Sequence, residues 1–283
     1  MNKIMLTLYS FFLLIFIIFP LVIIITLGFL NERNEFTFAN FIRLLEPSYL
    51  RIFSRSINFA LITTIFCILI GYPTAWFISM SKKSTQNNLI IMIILPMWIN
   101  TLLRSYAWIR ILGKNGIINN LFIAMGFKPM DLLYNEKAVI IGMIYNFLPF
   151  MILPIYIGLS KIKYEYIEAA RDLGARMWQI LIYIKIPLTL SYLATGIIMV
   201  FIPSITVFII SDLLGGSKQI LLGNLIEKQF LFVPDWNTGS AISFILMIVI
   251  VIFNLTIIKL MQKNRKKYEV LTCLKYLKIL FYF

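Results

Sequence analysis

Tyr164 to Leu188 reads YEYIEAARDLGARMWQILIYIKIPL, the longest polar interruption in the C-terminal half of an otherwise apolar chain. Runs long enough to cross a bilayer flank it on both sides, so it belongs at a membrane face. Glu165, Glu168 and Asp172 fall at i, i+3 and i+7 and share one side of a helix, while Ile167, Ala170 and Leu173 share another. This spacing predicts a short amphipathic helix. Gly174 tolerates a left-handed backbone and ends it. A second short helix follows through Met177, Trp178, Leu181 and Ile184, until Pro187 breaks it and opens the next apolar run.

The surrounding composition sets the class. Of 283 residues 60% are hydrophobic and 13% charged, and the mean hydropathy is +0.89. A soluble chain of this length could not bury so much apolar surface. The reading is all-α: a polytopic membrane helix bundle with six transmembrane helices over about 4–30, 56–81, 84–112, 138–160, 186–211 and 236–258. Residues 1–267 form the transmembrane domain, with 161–187 as an inner loop and 268–283 as a cytoplasmic tail. The first run has no small-residue cleavage site after its apolar centre and reads as a retained anchor.

A cytoplasmic N terminus puts Lys82, Lys83, Lys161, Lys163 and the basic cluster Lys263 to Lys267 inside, giving the inner segments the larger share of Lys and Arg. The net charge of +14 therefore reports membrane orientation, and no nucleic-acid partner is expected. With no histidine and two cysteines, neither a metal set, a disulfide framework nor a cofactor is expected.

Polar residues inside the apolar runs mark candidate function. Segment 31–55 suggests short interfacial helices with Arg43, Arg51 and Arg55 reaching toward headgroups. Gly71, Tyr72 and Pro73 interrupt the second run, and Pro96 the third. Trp98, Asn100, Arg104, Tyr106 and Trp108 make the third run the first candidate for lining a polar route; an aromatic belt at the outer interface is the competing reading. Tyr145 and Asn146 sit near the middle of the fourth, and Asn146 should face the bundle. Asp212 is the one carboxylate at or within a spanning run. It either pairs with Arg104 or Arg110, or offers a negative site to a cationic solute. Gly215, Gly216 and Gly223 permit a close turn beside it.

Glu168-Ala169-Ala170, then Gly174, then Ile184 and Ile186-Pro187 keep the spacing of the EAA loop, with Ile186 where that pattern usually has Leu. The chain thereby resembles the permease subunits of binding-protein-dependent ABC importers. In that family the loop is the coupling helix that docks into a groove on a cytoplasmic ATPase. The resemblance thus implies that Glu168, Ala169, Ala170, Asp172 and Gly174 form the contact. SINFALITTIFCILIGYPTAWF, LPMWINTLLRSYAW, ISDLLGG and LLGNLIEKQF narrow the likeness to the polyamine type, the first membrane subunit of spermidine/putrescine importers, over about 20–263.

That resemblance implies the type I importer (MetI-like) fold, a heterodimer with a second homologous permease, two ATPase subunits and an external polyamine-binding protein. Membrane lipid surrounds the assembly, and solute crosses by alternating access. The chain has no GxxxxGK[ST] loop, so it is not itself an enzyme and a partner must hydrolyse ATP. Helix position and composition nominate Trp98, Tyr106, Tyr145 and Asp212 for a polyamine route, through aromatic faces and a carboxylate. Alternatives are the same machine with an amino acid, iron or oxyanion cargo, a secondary transporter, for which no inverted repeat is evident, and an intramembrane enzyme, for which acid, base and nucleophile are missing.

Overall fold

The computed structural model describes residues 3–216 and 218–280, with side chains placed between 5 and 261 apart from 6, 10 and 217. The elements are α1, whose membrane-length part is Thr7–Gly28, α2 (Ala39–Arg43), α3 (Pro47–Met80), α4 (Lys83–Trp98), α5 (Thr101–Leu112) and α6 (Ile117–Ala124). There follow α7 (Glu136–Ser160), α8 (Tyr164–Asp172), α9 (Met177–Thr206), α10 (Ile209–Gly215), α11 (Leu222–Leu231) and α12 (Trp236–Leu280). Among the described residues five helices are long and apolar enough to cross a membrane, or six if the bent pair in the middle counts as one crossing. The tail expected at 268–283 continues α12 without a break to Leu280; its side chains and residues 281–283 lie outside the described residues.

Four sequence expectations are corrected. Segment 50–55 is not an interfacial helix, because α3 starts at Pro47, with proline at a first-turn position where its missing N–H costs nothing. Gly71 to Pro73 do not interrupt α3, which runs through Pro73 to Met80. Pro187 does not break α9: a π turn over Leu181–Lys185 widens the helix just ahead of the ring. The same device, a π turn over Leu14–Ile18, precedes Pro20 in α1. The third run is interrupted as read: Pro96 sits in a tight turn over Leu95–Trp98, and the chain leaves it bent by 96° into 101–124. The fifth crossing, expected to reach 211, instead stops at Thr206, where extended Val207 separates it from α10.

α3, α7 and α9 form the centre. Cys67, Tyr72 and Ala75 of α3 meet Met151, Ile152 and Ile155 of α7 and Ile197 and Val200 of α9. A second cluster joins Ala60, Phe201, Ile205, Leu222, Ala241 and Ile242, and a third joins Phe59, Leu112, Met143, Ile210 and Leu214. Lipid is as apolar as leucine, so such helices are held by close packing at small residues. At the periphery α1 lies on α12, where a Cβ on Gly28 would meet the Ala241 backbone nitrogen at 3.3 Å. Just 6% of its apolar window is buried within the chain, against 61% for α7, so α1 is peripheral and α7 central.

Candidate functional site

The first feature is α8, in the connection between α7 and α9. Its N-cap Lys163 is extended, and at its end Gly174 takes φ +78, donating to the Arg171 carbonyl at 2.8 Å while the Ala175 N–H donates to Ala170 at 2.9 Å. No heavy atom lies within 4 Å of a Cβ built at Gly174, so the glycine answers to backbone sign and not to crowding. The elbow is then fastened: the Arg176 N–H donates to Gln179 Oε1 at 2.7 Å and α9 begins. No residue of α8 is buried. Glu165, Glu168, Ala169 and Asp172 are exposed, and Ile167 and Ala170 are half-buried. Leu173, which closes the expected apolar face, is 72% exposed. Both its carboxylate side and Leu173 are thus left open by the rest of the chain.

The second feature lies at the bend. Asn100 caps α5, its side chain accepting from Leu102 N at 2.8 Å. A cavity of about 230 Å³ opens there, with Ile99, Leu103, Ala107 and Ile111 around Arg104, Trp108 and Tyr145. The Trp108 and Tyr145 rings meet edge-on at 5.4 Å. Arg104 donates from Nη2 to Thr101 Oγ1 at 3.0 Å, and its Nε is buried without a partner. Trp98, at 82% exposure, and exposed Tyr106 stand on neighbouring open faces and not in the cavity. Asn146 is buried as expected; its Nδ2 donates to Gly142 at 2.8 Å while Oδ1 has no partner.

Asp212 does not make the expected ion pair with Arg104 or Arg110. The ion pairs among the described residues are Arg43 with Asp235 at 3.3 Å and Lys114 with Asp131 at 3.8 Å. α10 packs on α5, yet the Arg104 guanidinium turns to Thr101 on its own helix. Asn224 is the node that sequence reading missed. Its Oδ1 accepts from Ser211 Oγ at 2.7 Å and Leu221 N at 2.9 Å, and its Nδ2 donates to Phe208 at 3.1 Å. Leu222 N in turn donates to Ser56 Oγ at 2.8 Å, tying this turn to α3. Glu227 on α11 was also missed; burial and the nearby Asp212 charge push its carboxyl above the usual carboxylate range. Its closeness to Asp212 across 15 residues had no local sequence signal.

Residues 60–268 match the family described as binding-protein-dependent transport system inner membrane component. The spermidine/putrescine transport system permease protein PotB of Salmonella typhimurium (strain SL1344) is 38% identical over 84% of this chain and 85% of its own length. PotB of Escherichia coli (strain K12) is 37% identical over 91% of this chain and 96% of its own. Among solved structures, a chain of a bacterial ABC transporter that imports the acidic polysaccharide alginate superposes with a TM-score of 0.80 at 17% identity, covering 92% of this chain and 94% of that one.

Proposed function

The chain belongs to the inner membrane component family of binding-protein-dependent transport systems, and from that premise we propose that it is the permease subunit of an ATP-driven importer of spermidine and putrescine. The observation that carries the cargo is the identity of 37–38% to PotB along nearly the whole chain. Chemistry supports it: a flexible polycation needs aromatic faces and carboxylates to replace its water. Tyr145 lines the cavity at the bend, Trp98 and Tyr106 stand beside it, and Asp212 waits on the packed neighbour α10. These four residues form the proposed route.

The proposed assembly has a second, homologous permease, two ATPase subunits that hydrolyse the ATP, and an external polyamine-binding protein. Glu168, Ala169, Ala170, Asp172 and Gly174 dock on one ATPase subunit. Glu168 fixes register through a charged hydrogen bond, and the two alanines let a groove approach closely. ATP closes the ATPase pair, draws the coupling helices together and switches the cavity between the two membrane faces. The charge balance supports cytoplasmic termini, which also places α8 on the ATPase side.

Right-side-out membrane vesicles or proteoliposomes carrying the whole importer, with ATP inside and the polyamine-binding protein outside, test this. ATP-dependent uptake of labelled spermidine into right-side-out vesicles is expected, with loss on combined substitution of Trp98, Tyr106 and Tyr145 to Ala and Asp212 to Asn. Uptake untouched by all four changes overturns the route, and absence of any ATPase from the purified complex overturns the machine.

A further inference from the structure

Lys185 is the buried charge that neither docking nor transport uses. It sits in the π turn of α9 at 6% exposure, and its ammonium lies 5.6 Å from the centre of the Trp76 ring on α3. No carboxylate pairs with it among the described residues. The Trp76 indole Nε1 is buried and has no hydrogen-bond partner. Between α3 and α9, then, an ammonium held over a ring face and an indole N–H on that same ring both lack an oxygen acceptor from the described chain. A lysine and an indole left so cost free energy, and an anionic oxygen is the group that relieves both.

Depth identifies what brings that oxygen. Trp76 lies one helical turn before Met80, where α3 ends, and Lys185 lies two turns after Met177, where α9 begins. Phe77, next to Trp76, is 64% exposed, and Ile182, three residues before Lys185, is 47% exposed; both are apolar and turned outward. Such a surface faces acyl chains, whereas α8 beyond it, which buries no residue, is the proposed ATPase contact. Tyr72 and Thr189, bonded to one another at 2.9 Å, close the floor of the site and hold α3 against α9. Basic pockets between helices at the cytoplasmic leaflet take anionic headgroups. We propose that Lys185 and the Trp76 indole bind the phosphodiester of an anionic lipid of the inner leaflet. The ammonium neutralises the phosphate, the indole N–H donates to one of its oxygens, and the bound lipid braces the base of α9 directly behind the coupling helix.

Native mass spectrometry of the complete importer, extracted in mild detergent and titrated with phosphatidylglycerol, phosphatidylcholine or inorganic phosphate, decides this. The wild type and Lys185→Arg should retain phosphatidylglycerol over phosphatidylcholine, Lys185→Gln should bind it about tenfold more weakly, and Trp76→Phe, which keeps the ring and loses the N–H, should fall between. Equal retention by Lys185→Gln overturns the proposal, as does displacement by inorganic phosphate alone, which makes the site one for free anion. Cross-linking of Lys185 to a carboxylate of a partner subunit also overturns it. If Lys185→Gln does not assemble, unchanged retention by Trp76→Phe is the overturning result.

Discussion

At the residue scale the proposed route makes separable demands on Tyr145 and Asp212. Tyr145→Ala removes both the edge contact to Trp108, worth about 1 kcal/mol, and an aromatic wall of the cavity. Tyr145→Phe keeps the ring. Spermidine uptake by Tyr145→Phe should stay within about threefold of wild type and by Tyr145→Ala should fall about tenfold. Equal losses in the two variants would instead point to the hydroxyl. Asp212→Asn removes the charge and leaves the Asn224 bonds to Ser211, Leu221 and Phe208 in place, so the apparent affinity for spermidine should weaken about tenfold while protein levels hold. The candidates themselves were visible because an aromatic or a carboxylate stands out in an apolar run. What the sequence hid was pairing: Arg104 and Asp212 have the right charges and lie on packed helices, yet Arg104 bonds Thr101 on its own helix and the two form no ion pair.

At the scale of the element, α8 is the simplest to perturb without unfolding. Glu168 is exposed and touches nothing that holds the bundle, so Glu168→Ala should leave assembly intact while abolishing solute-stimulated ATP hydrolysis in the reconstituted complex. Gly174→Val forces a branched side chain to φ +78 at a cost of about 1–2 kcal/mol, enough to unwind the last turn of α8 and weaken coupling. Gly223 is different. A Cβ there would sit 2.1 Å from the Thr206 backbone oxygen, so Gly223→Ala should lower the melting temperature of the detergent-purified protein through overpacking of about 1–3 kcal/mol. Gly174 was legible from its place after an amphipathic run. Prolines misled: Pro73 and Pro187 read as breaks, because a one-dimensional reading cannot see a long helix absorb the ring by widening one turn or by leaning on neighbours. Pro96 did bend the chain, since Leu95–Trp98 tightens and Asn100 starts a fresh helix behind it.

At the scale of the whole molecule the bundle is central on α3, α7 and α9 and open around them. Large apolar side chains remain uncovered on α5, where Leu103 is 65% exposed, and on α9, where Leu188 is 52% exposed. In the proposed heterodimer some of these faces meet the second permease. Cysteine placed at Ala169 should be labelled by an impermeant maleimide from the cytoplasmic side alone and shielded when the ATPase is present; labelling from outside would overturn the orientation. Composition and apolar run length were enough to fix the class and most crossings, while the angular third crossing needed three dimensions, because 84–112 is equally apolar straight or bent.

The unbroken passage of α9 from Met177 to Thr206 turns these scales into one another. A helix of that length is a rod of about 45 Å. Rocked by ~10° about its midpoint, it swings each tip through roughly 4 Å. In the proposed importer a nudge delivered at the elbow beside Gly174 reaches extended Val207 as an opposite swing, where the rod ends and α10 with its carboxylate begins.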